Sequence, residues 1–152
     1  MNQGIGTQLR HLLELLDGAV TEAYANESLR YRPRYTPVMR ALIASEPRAI
    51  SQIAEAAGIS QPAATQTVSL MIRDGLVSSA PGRDARQRMI RLTPAGRDLL
   101  PNLQRCWRAT AAAAAGLDAE LCSPLSHVLA DAITALERKS FGDRLAEARP
   151  PT

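Results

Sequence analysis

Two short helices separated by a glycine turn, followed at once by an arginine-rich hairpin, are written into residues 50–97. Ser51 is placed to cap the first helix, which carries Ile53, Ala54 and Ala57 and is stopped by Gly58. After the Gly58-Ile59-Ser60 turn, Ser60 caps a second helix, with Pro62 tolerated in its first turn. That helix turns Ala64, Val68 and Met71 inward and ends near Gly75. A short apolar strand (Leu76, Val77), a charged turn at Pro81-Gly82-Arg83-Asp84 and a second strand from Arg88 to Leu92 follow. A helix able to enter a major groove, beside a basic hairpin, is the equipment of a double-stranded DNA reader.

The net charge of +3 is too small to argue for a polyanionic partner by itself; its distribution argues better. From Ser60 to Arg97 there are six arginines (73, 83, 86, 88, 91 and 97) against two aspartates (74 and 84). The segment Arg30–Arg40 adds four arginines and no acid. Single-stranded nucleic acids favour aromatic stacking platforms. Between Ala49 and Gln104 there is no Phe, Tyr or Trp, so duplex DNA is the better partner.

The flanks are helical. Leu9, Leu12, Leu13, Leu16 and Val20 form an apolar stripe at helical period over 7–25. The polar segment Asn26–Tyr35 reads as a connector, and Thr36-Pro37 starts a helix with Val38, Met39, Leu42 and Ile43 inward, ended by Glu46-Pro47. Arg48-Ala49-Ile50 is suited to a very short strand completing a small sheet. Thr93-Pro94 opens another helix through Leu99, Leu100, Leu103 and Trp107 to the alanine run at 111–115, with Pro101 forcing a kink or break and Gly116 marking the end. Ser123-Pro124 opens the last helix, striped by Leu125, Val128, Leu129, Ala132, Ile133 and Leu136, and the tail 147–152 reads as disordered. Such stripes must bury against something: a larger monomeric core, or a helical dimer interface built from both chain ends, which suits a symmetric DNA reader.

With 3% aromatic residues, the interior must rest on Leu, Ile, Val and Ala. No apolar run approaches the ~20 residues that span a membrane, no secretion signal is visible at 1–6, and two cysteines make no disulfide framework, so a cytoplasmic protein is expected. His11, His127, Cys106 and Cys122 show no metal-ligand spacing, and no cofactor is implied. There is no phosphate-binding glycine loop, nucleophile elbow or paired His–carboxylate signature, which argues against an enzyme.

The chain resembles the MarR family of bacterial transcriptional regulators. The resemblance is carried by Ser51-to-Gly58, Ser60-Gln61-Pro62-Ala63-Ala64-Thr65-Gln66 and Arg73-Asp74-Gly75-Leu76-Val77, then by Asp84-Ala85-Arg86 and Leu92-Thr93-Pro94-Ala95-Gly96-Arg97. It implies a mainly α fold with a small antiparallel β-wing: a single domain over 1–152, with a winged helix-turn-helix at 36–97 flanked by dimerisation helices at 5–25 and 95–146. It further implies a homodimer on a pseudo-palindromic operator, with wings in minor grooves. It also implies a repressor, less often an activator, commonly released by a small phenolic or lipophilic ligand or by cysteine oxidation. Oxidation-sensing relatives usually carry their cysteine in the first helix, where this chain has none.

The candidate DNA contacts are Ser60, Gln61, Pro62, Ala63, Thr65, Gln66, Ser69 and Arg73 on the second helix, with Arg83, Asp84, Arg86 and Arg88 on the wing. Gln pairs bidentately with adenine, Thr reaches phosphate or a thymine methyl, and Ala touches that methyl. Gln66 stands where many relatives carry arginine, which makes a guanine contact from this position less expected. Arginine suits a narrow minor groove; by family likeness Asp84 holds the loop through an ion pair, with Arg86 nearest the DNA. Arg73 is open between a phosphate contact and pairing with Asp74 or Asp84. Tyr24, Tyr31, Tyr35 and Trp107 are candidate lining for a ligand pocket, an ordinary aromatic core being the other reading. The competing function is a winged helix used only for protein–protein contact, which would have no need for an arginine wing.

Overall fold

The computed structural model describes residues 4–27 and 29–149. It is mainly helical, with one three-stranded antiparallel sheet, and divides into two compact units, 1–107 and 108–152. None of the described helices is long and apolar enough to cross a membrane.

In the first unit, helix α1 (Ile5–Asn26) leads through a 3₁₀ turn at Pro33–Tyr35 into α2 (Thr36–Ala44). Strand β1 (Arg48–Ala49) follows, then α3 (Ile50–Ala57) and α4 (Gln61–Arg73). The wing is β2 (Val77–Pro81) and β3 (Arg88–Leu92), paired from Val77↔Leu92 to Pro81↔Arg88. Strand β1 adds to the other edge of β3, giving the order β1-β3-β2. Helix α5 (Pro94–Asp98) then precedes α6 (Leu100–Glu120). The core is Tyr24, Tyr35, Met39, Leu42, Ile53, Val68, Met71, Val77, Ile90 and Leu103, drawn from every layer of this unit.

Both helices of the helix-turn-helix stop the same way. Gly58 (φ 65°) and Gly75 (φ 75°) take the left-handed conformation that side chains resist. Around each, two backbone N–H groups turn back onto the last helical turn: Gly58 to Glu55 and Ile59 to Ala54, then Gly75 to Ile72 and Leu76 to Met71. The second closure sends the chain straight into the wing.

The wing is fastened by its last residues. Thr93 donates its hydroxyl to the Gly75 carbonyl (2.6 Å) and accepts from the Gly96 N–H (3.0 Å), while its own N–H reaches the Leu76 carbonyl. The start of α5 lies so close to Leu76 that a Cβ on Gly96 would fall 2.2 Å from the Leu76 oxygen. From the other side, the Glu46 carboxylate accepts the Leu92 N–H (2.6 Å) and pairs with Arg97. Partial burial pushes the Glu46 pKa up, but the Leu92 N–H and Arg97 outweigh it and hold the carboxyl below its ordinary value.

Several sequence expectations need correction. Ser51 is not the cap of α3: the helix begins at Ile50, and the Ala49 N–H donates to the Gln52 side chain (2.9 Å). Because β1 delivers Ala49 directly into the helix, the cap falls on a residue without a polar side chain. Ile43 is exposed, and Ala41 takes the inward position instead. Thr67, on the inner face of α4, is buried as well. The break near Pro101 is present, falling at Leu99 between α5 and α6. Gly116 does not end α6, which continues to Glu120; the alanines around it tolerate one glycine at about 1 kcal/mol.

In the second unit, α7 (Leu125–Arg138) is not the last helix, because α8 (Phe141–Ala148) follows. Ser140 caps α8 by accepting the Asp143 N–H (3.1 Å), so Glu147 and Ala148 are helical rather than part of a disordered tail; 150–152 lie outside the described residues. Asp118 accepts the Leu125 N–H (2.7 Å) and the Ser126 hydroxyl (2.8 Å) at the start of α7, and the Ser126 bond holds its carboxyl below the ordinary value. Among the described residues, neither α7 nor α8 has a buried side chain; Val128, Ile133 and Leu136 of α7 and Phe141 and Leu145 of α8 stand exposed. Helix α1 likewise exposes Leu9, Leu13 and Leu16.

Gly96→Ala forces the α5–Leu76 contact apart and is expected to destabilise the protein by roughly 1–3 kcal/mol or more, read as a lowered urea midpoint. An unchanged midpoint would contradict the close approach.

Candidate nucleic-acid interface

The outward face of α4 is prepared at its first turn. The Ser60 hydroxyl accepts the Ala63 N–H (3.3 Å), and Pro62 occupies a position where its missing N–H costs nothing. With Ala64, Thr67, Val68 and Met71 buried, the helix leaves Gln61, Pro62, Thr65, Gln66 and Ser69 exposed and Ala63 half-buried. Gln61, Pro62, Ala63, Thr65 and Gln66 line one shallow hollow along this face.

The polar groups on this face are not free rotors. Thr65 donates its hydroxyl to the Gln61 carbonyl and Ser69 donates to the Thr65 carbonyl, both at 2.9 Å. Their hydroxyl protons are engaged inside the helix, leaving oxygen lone pairs and the Thr65 methyl facing out. Gln66 accepts at its amide oxygen from Arg34 Nη2 (3.1 Å), on the 3₁₀ turn before α2.

At the wing, the tip closes on itself. The Gly82 N–H donates to the Gln87 carbonyl (2.7 Å), and the Gln87 N–H to the Asp84 carbonyl (2.9 Å). Asp84 holds the loop, though not through the expected ion pair: its carboxylate accepts the Arg86 backbone N–H (3.0 Å), an Asx turn. Among the described residues no cation pairs with Asp84, because the turn directs its carboxylate at the backbone. Among the described residues neither Arg83 nor Arg86 forms an ion pair, and both side chains are exposed. Arg88 is steadied across the wing by donating Nε to Ser79 Oγ (3.0 Å). Arg73, largely exposed, lies 3.7 Å from Asp74.

The four aromatic candidates come together, as a packed cluster. Tyr24 and Tyr31 meet edge to face at 4.9 Å, and Tyr31 and Tyr35 at 5.7 Å, with all three rings buried. Their tips are satisfied internally. Trp107 Nε1 donates to the Tyr24 hydroxyl (3.1 Å), the Tyr31 hydroxyl donates to Thr36 Oγ1 (3.3 Å), and the Arg40 guanidinium covers the Trp107 ring at 4.9 Å. Burial pushes the Tyr31 phenol well above its ordinary value; burial, then the bond to Asp74, does the same for Tyr35. Both stay protonated donors.

Asp74 and Arg34 join this cluster to α4; the sequence offers Arg34, with Arg30 and Arg32, as a contact to the DNA backbone or a ligand-pocket residue, and gives Asp74 only as a partner for Arg73. Tyr35 donates to Asp74 Oδ2 (2.6 Å) at the C-terminal end of α4, with Arg32 3.9 Å from the same oxygen. Arg34, next in the chain to Tyr35, reaches Gln66. The arginine-rich composition of 30–40 was the available signal, but nothing local says which partner each arginine takes.

A second helix with a tethered, exposed polar face, beside an antiparallel wing with an exposed arginine-bearing tip, defines the winged helix-turn-helix class. The chain matches the model of the MarR family over residues 32–87. Its fold is that of MarR-type solved structures. The transcriptional regulator MOSR of M. tuberculosis, in complex with DNA, has a TM-score of 0.72 at 23% identity, with 91% of this chain and 100% of that one covered. The transcriptional repressor CouR, bound to a 23-mer DNA duplex, has a TM-score of 0.62 at 18% identity, covering 88% and 92%. The PcaV transcriptional regulator of Streptomyces coelicolor, in complex with its natural ligand, has a TM-score of 0.61 at 21% identity, covering 92% and 99%. No curated protein matches the sequence.

Tyr35→Phe keeps the ring and removes one bond to a carboxylate. It is expected to cost roughly 1.5–3 kcal/mol of stability, measured by urea denaturation; a value near zero would mean that the Tyr35–Asp74 bond does not tie the turn to α4.

Proposed function

We propose that this protein is a double-stranded DNA-binding transcription regulator. It acts as a homodimer, laying each α4 in a major groove and each wing along the adjoining minor groove, and works by repression. The observation that carries this reading is the pairing of the exposed, internally ordered face of α4 with the exposed, unpaired side chains of Arg83 and Arg86 at the wing tip. A protein-contact module has no use for a bare basic tip beside a polar reading helix, whereas DNA rewards both.

The dimer reading is supported by the unburied apolar residues of α1, α7 and α8. Leu13 in the first unit and Ile133 and Phe141 in the second are 57–58% exposed, and large apolar side chains left exposed in such number mark interaction surfaces on each unit. A second copy of the chain is the occupant that the symmetry of duplex DNA favours. Repression is supported by CouR, a transcriptional repressor whose fold the chain shares. A small lipophilic or phenolic effector is supported by the ligand-bound PcaV relative. In this chain Tyr24, Tyr31 and Tyr35 are filled by one another, so an effector acting there has to open the cluster and with it the Tyr35–Asp74 bond.

Affinity for duplex DNA is expected to fall linearly on a log–log plot against salt, measured by fluorescence anisotropy. Arg86→Ala is expected to reduce that slope by about one per wing. A salt-independent interaction, or none with DNA, would move the reading to protein–protein contact.

A further inference from the structure

Arg34 lies outside the helix-turn-helix, yet its guanidinium meets the reading face of α4. It is exposed at the middle of the Pro33–Tyr35 turn, and its Nη2 donates to Gln66 Oε1 at 3.1 Å. The turn is not a loose arm. The next residue, Tyr35, is fully buried and bonded to Asp74 at 2.6 Å. Gln66 lies within α4 and Asp74, eight residues on, caps its C-terminal end, about 12 Å away along the axis. The turn therefore grips α4 at two separated points, which fixes where Arg34 projects from.

We propose that Arg34 is a specificity-determining residue that holds the Gln66 amide so that this position reads base acceptors through its NH2 group. The proposal rests on the DNA-reading function above. Side-chain amides are usually ambiguous in orientation, but guanidinium carries only donors, so the amide oxygen must be the atom that faces Arg34. The Gln66 nitrogen is left free for the groove. A glutamine reading adenine bidentately needs both ends, its oxygen accepting from N6 and its nitrogen donating to N7. Arg34 occupies one of the oxygen's two lone pairs and fixes the direction of the amide, so the oxygen no longer swings to meet N6 and the NH2 group is the end that reads the base. Guanine (N7, O6) and thymine (O4) offer acceptors with no major-groove donor beside them, whereas adenine's N7 lies beside its own N6 amine and cytosine offers only an amine, so both are disfavoured. In the free protein an exposed bond of this kind contributes little to stability. Its consequence arises once DNA excludes water from the face and the local dielectric falls.

The test is selection from a randomised operator library by the full chain, comparing wild type with Arg34→Ala, Arg34→Lys and Gln66→Ala. Wild type is expected to prefer guanine or thymine at one symmetric base pair per half-site, and Gln66→Ala to lose preference at that pair alone. Arg34→Ala is expected to shift the same pair toward adenine by roughly fivefold or more, with the other positions unchanged. Arg34→Lys retains a donor and is expected to keep the wild-type preference. A uniform loss of affinity in Arg34→Ala with an unaltered motif and a shallower salt slope would make Arg34 a phosphate contact and overturn the proposal. An unaltered motif with unaltered affinity would overturn it equally. No motif with wild type would instead overturn the DNA-reading function, and this proposal with it.

Discussion

The geometry of the wing relative to the reading helix depends on one knot of contacts around Leu76 and Leu92. Thr93 binds the Gly75 and Leu76 carbonyls, Gly96 packs onto Leu76, and Glu46 captures both the Leu92 N–H and Arg97. These contacts join the end of α4, both wing strands, the start of α5 and the turn after α2. A winged helix works only if helix and wing keep a fixed separation, because the duplex fixes the spacing of its grooves. Here that separation is held by the Thr93 and Glu46 contacts together with the buried packing of Met71, Leu76, Val77, Ile90 and Leu92. The low aromatic content makes this understandable: the apolar core supplies bulk, while polar contacts supply the angle.

A second constraint runs from the aromatic cluster to the face of α4. The Tyr24–Tyr31–Tyr35 stack ends at Asp74, and the same turn sends Arg34 to Gln66. Anything that loosens the stack would release the C-terminal end of α4 and the orientation of a side chain on its reading face together. That gives the proposed effector response a concrete two-ended element, consistent with an equilibrium that both DNA and a small molecule would bias. The hydroxyls of Thr65 and Ser69, bonded within the helix, keep the rest of the face ordered meanwhile.

What could be read from the sequence was what local chemistry specifies. Ser60 as a cap, Gly58 and Gly75 as left-handed stops, Thr93-Pro94 as a helix start and Arg88–Leu92 as a strand each follow from a few neighbouring residues, and each stands in the structure. The Ser140-to-Asp143 cap of α8 is equally local, although the sequence reads the helix opened at Ser123-Pro124 as the last and only 147–152 as a disordered tail. The misread cap of α3 has a different cause: strand pairing of Ala49 with Met89 sets where that helix begins, forty residues away in the chain. Glu46 with Arg97, Tyr35 with Asp74 and Arg34 with Gln66 are likewise pairings at long range. Single residues on polar segments give no periodicity to find them by. Candidate contact residues were thus visible as residue types on a face, while the bonds that orient them were not.

The most direct test of the account is hydroxyl-radical footprinting of the full chain on genomic fragments it selects at physiological salt. Two symmetric half-sites centred about one helical turn apart, with flanking minor-groove protection that disappears in Arg86→Ala, are the predicted result. A single unpaired footprint, or protection indifferent to the wing arginine, would contradict a dimer that reads DNA with α4 and the wing together.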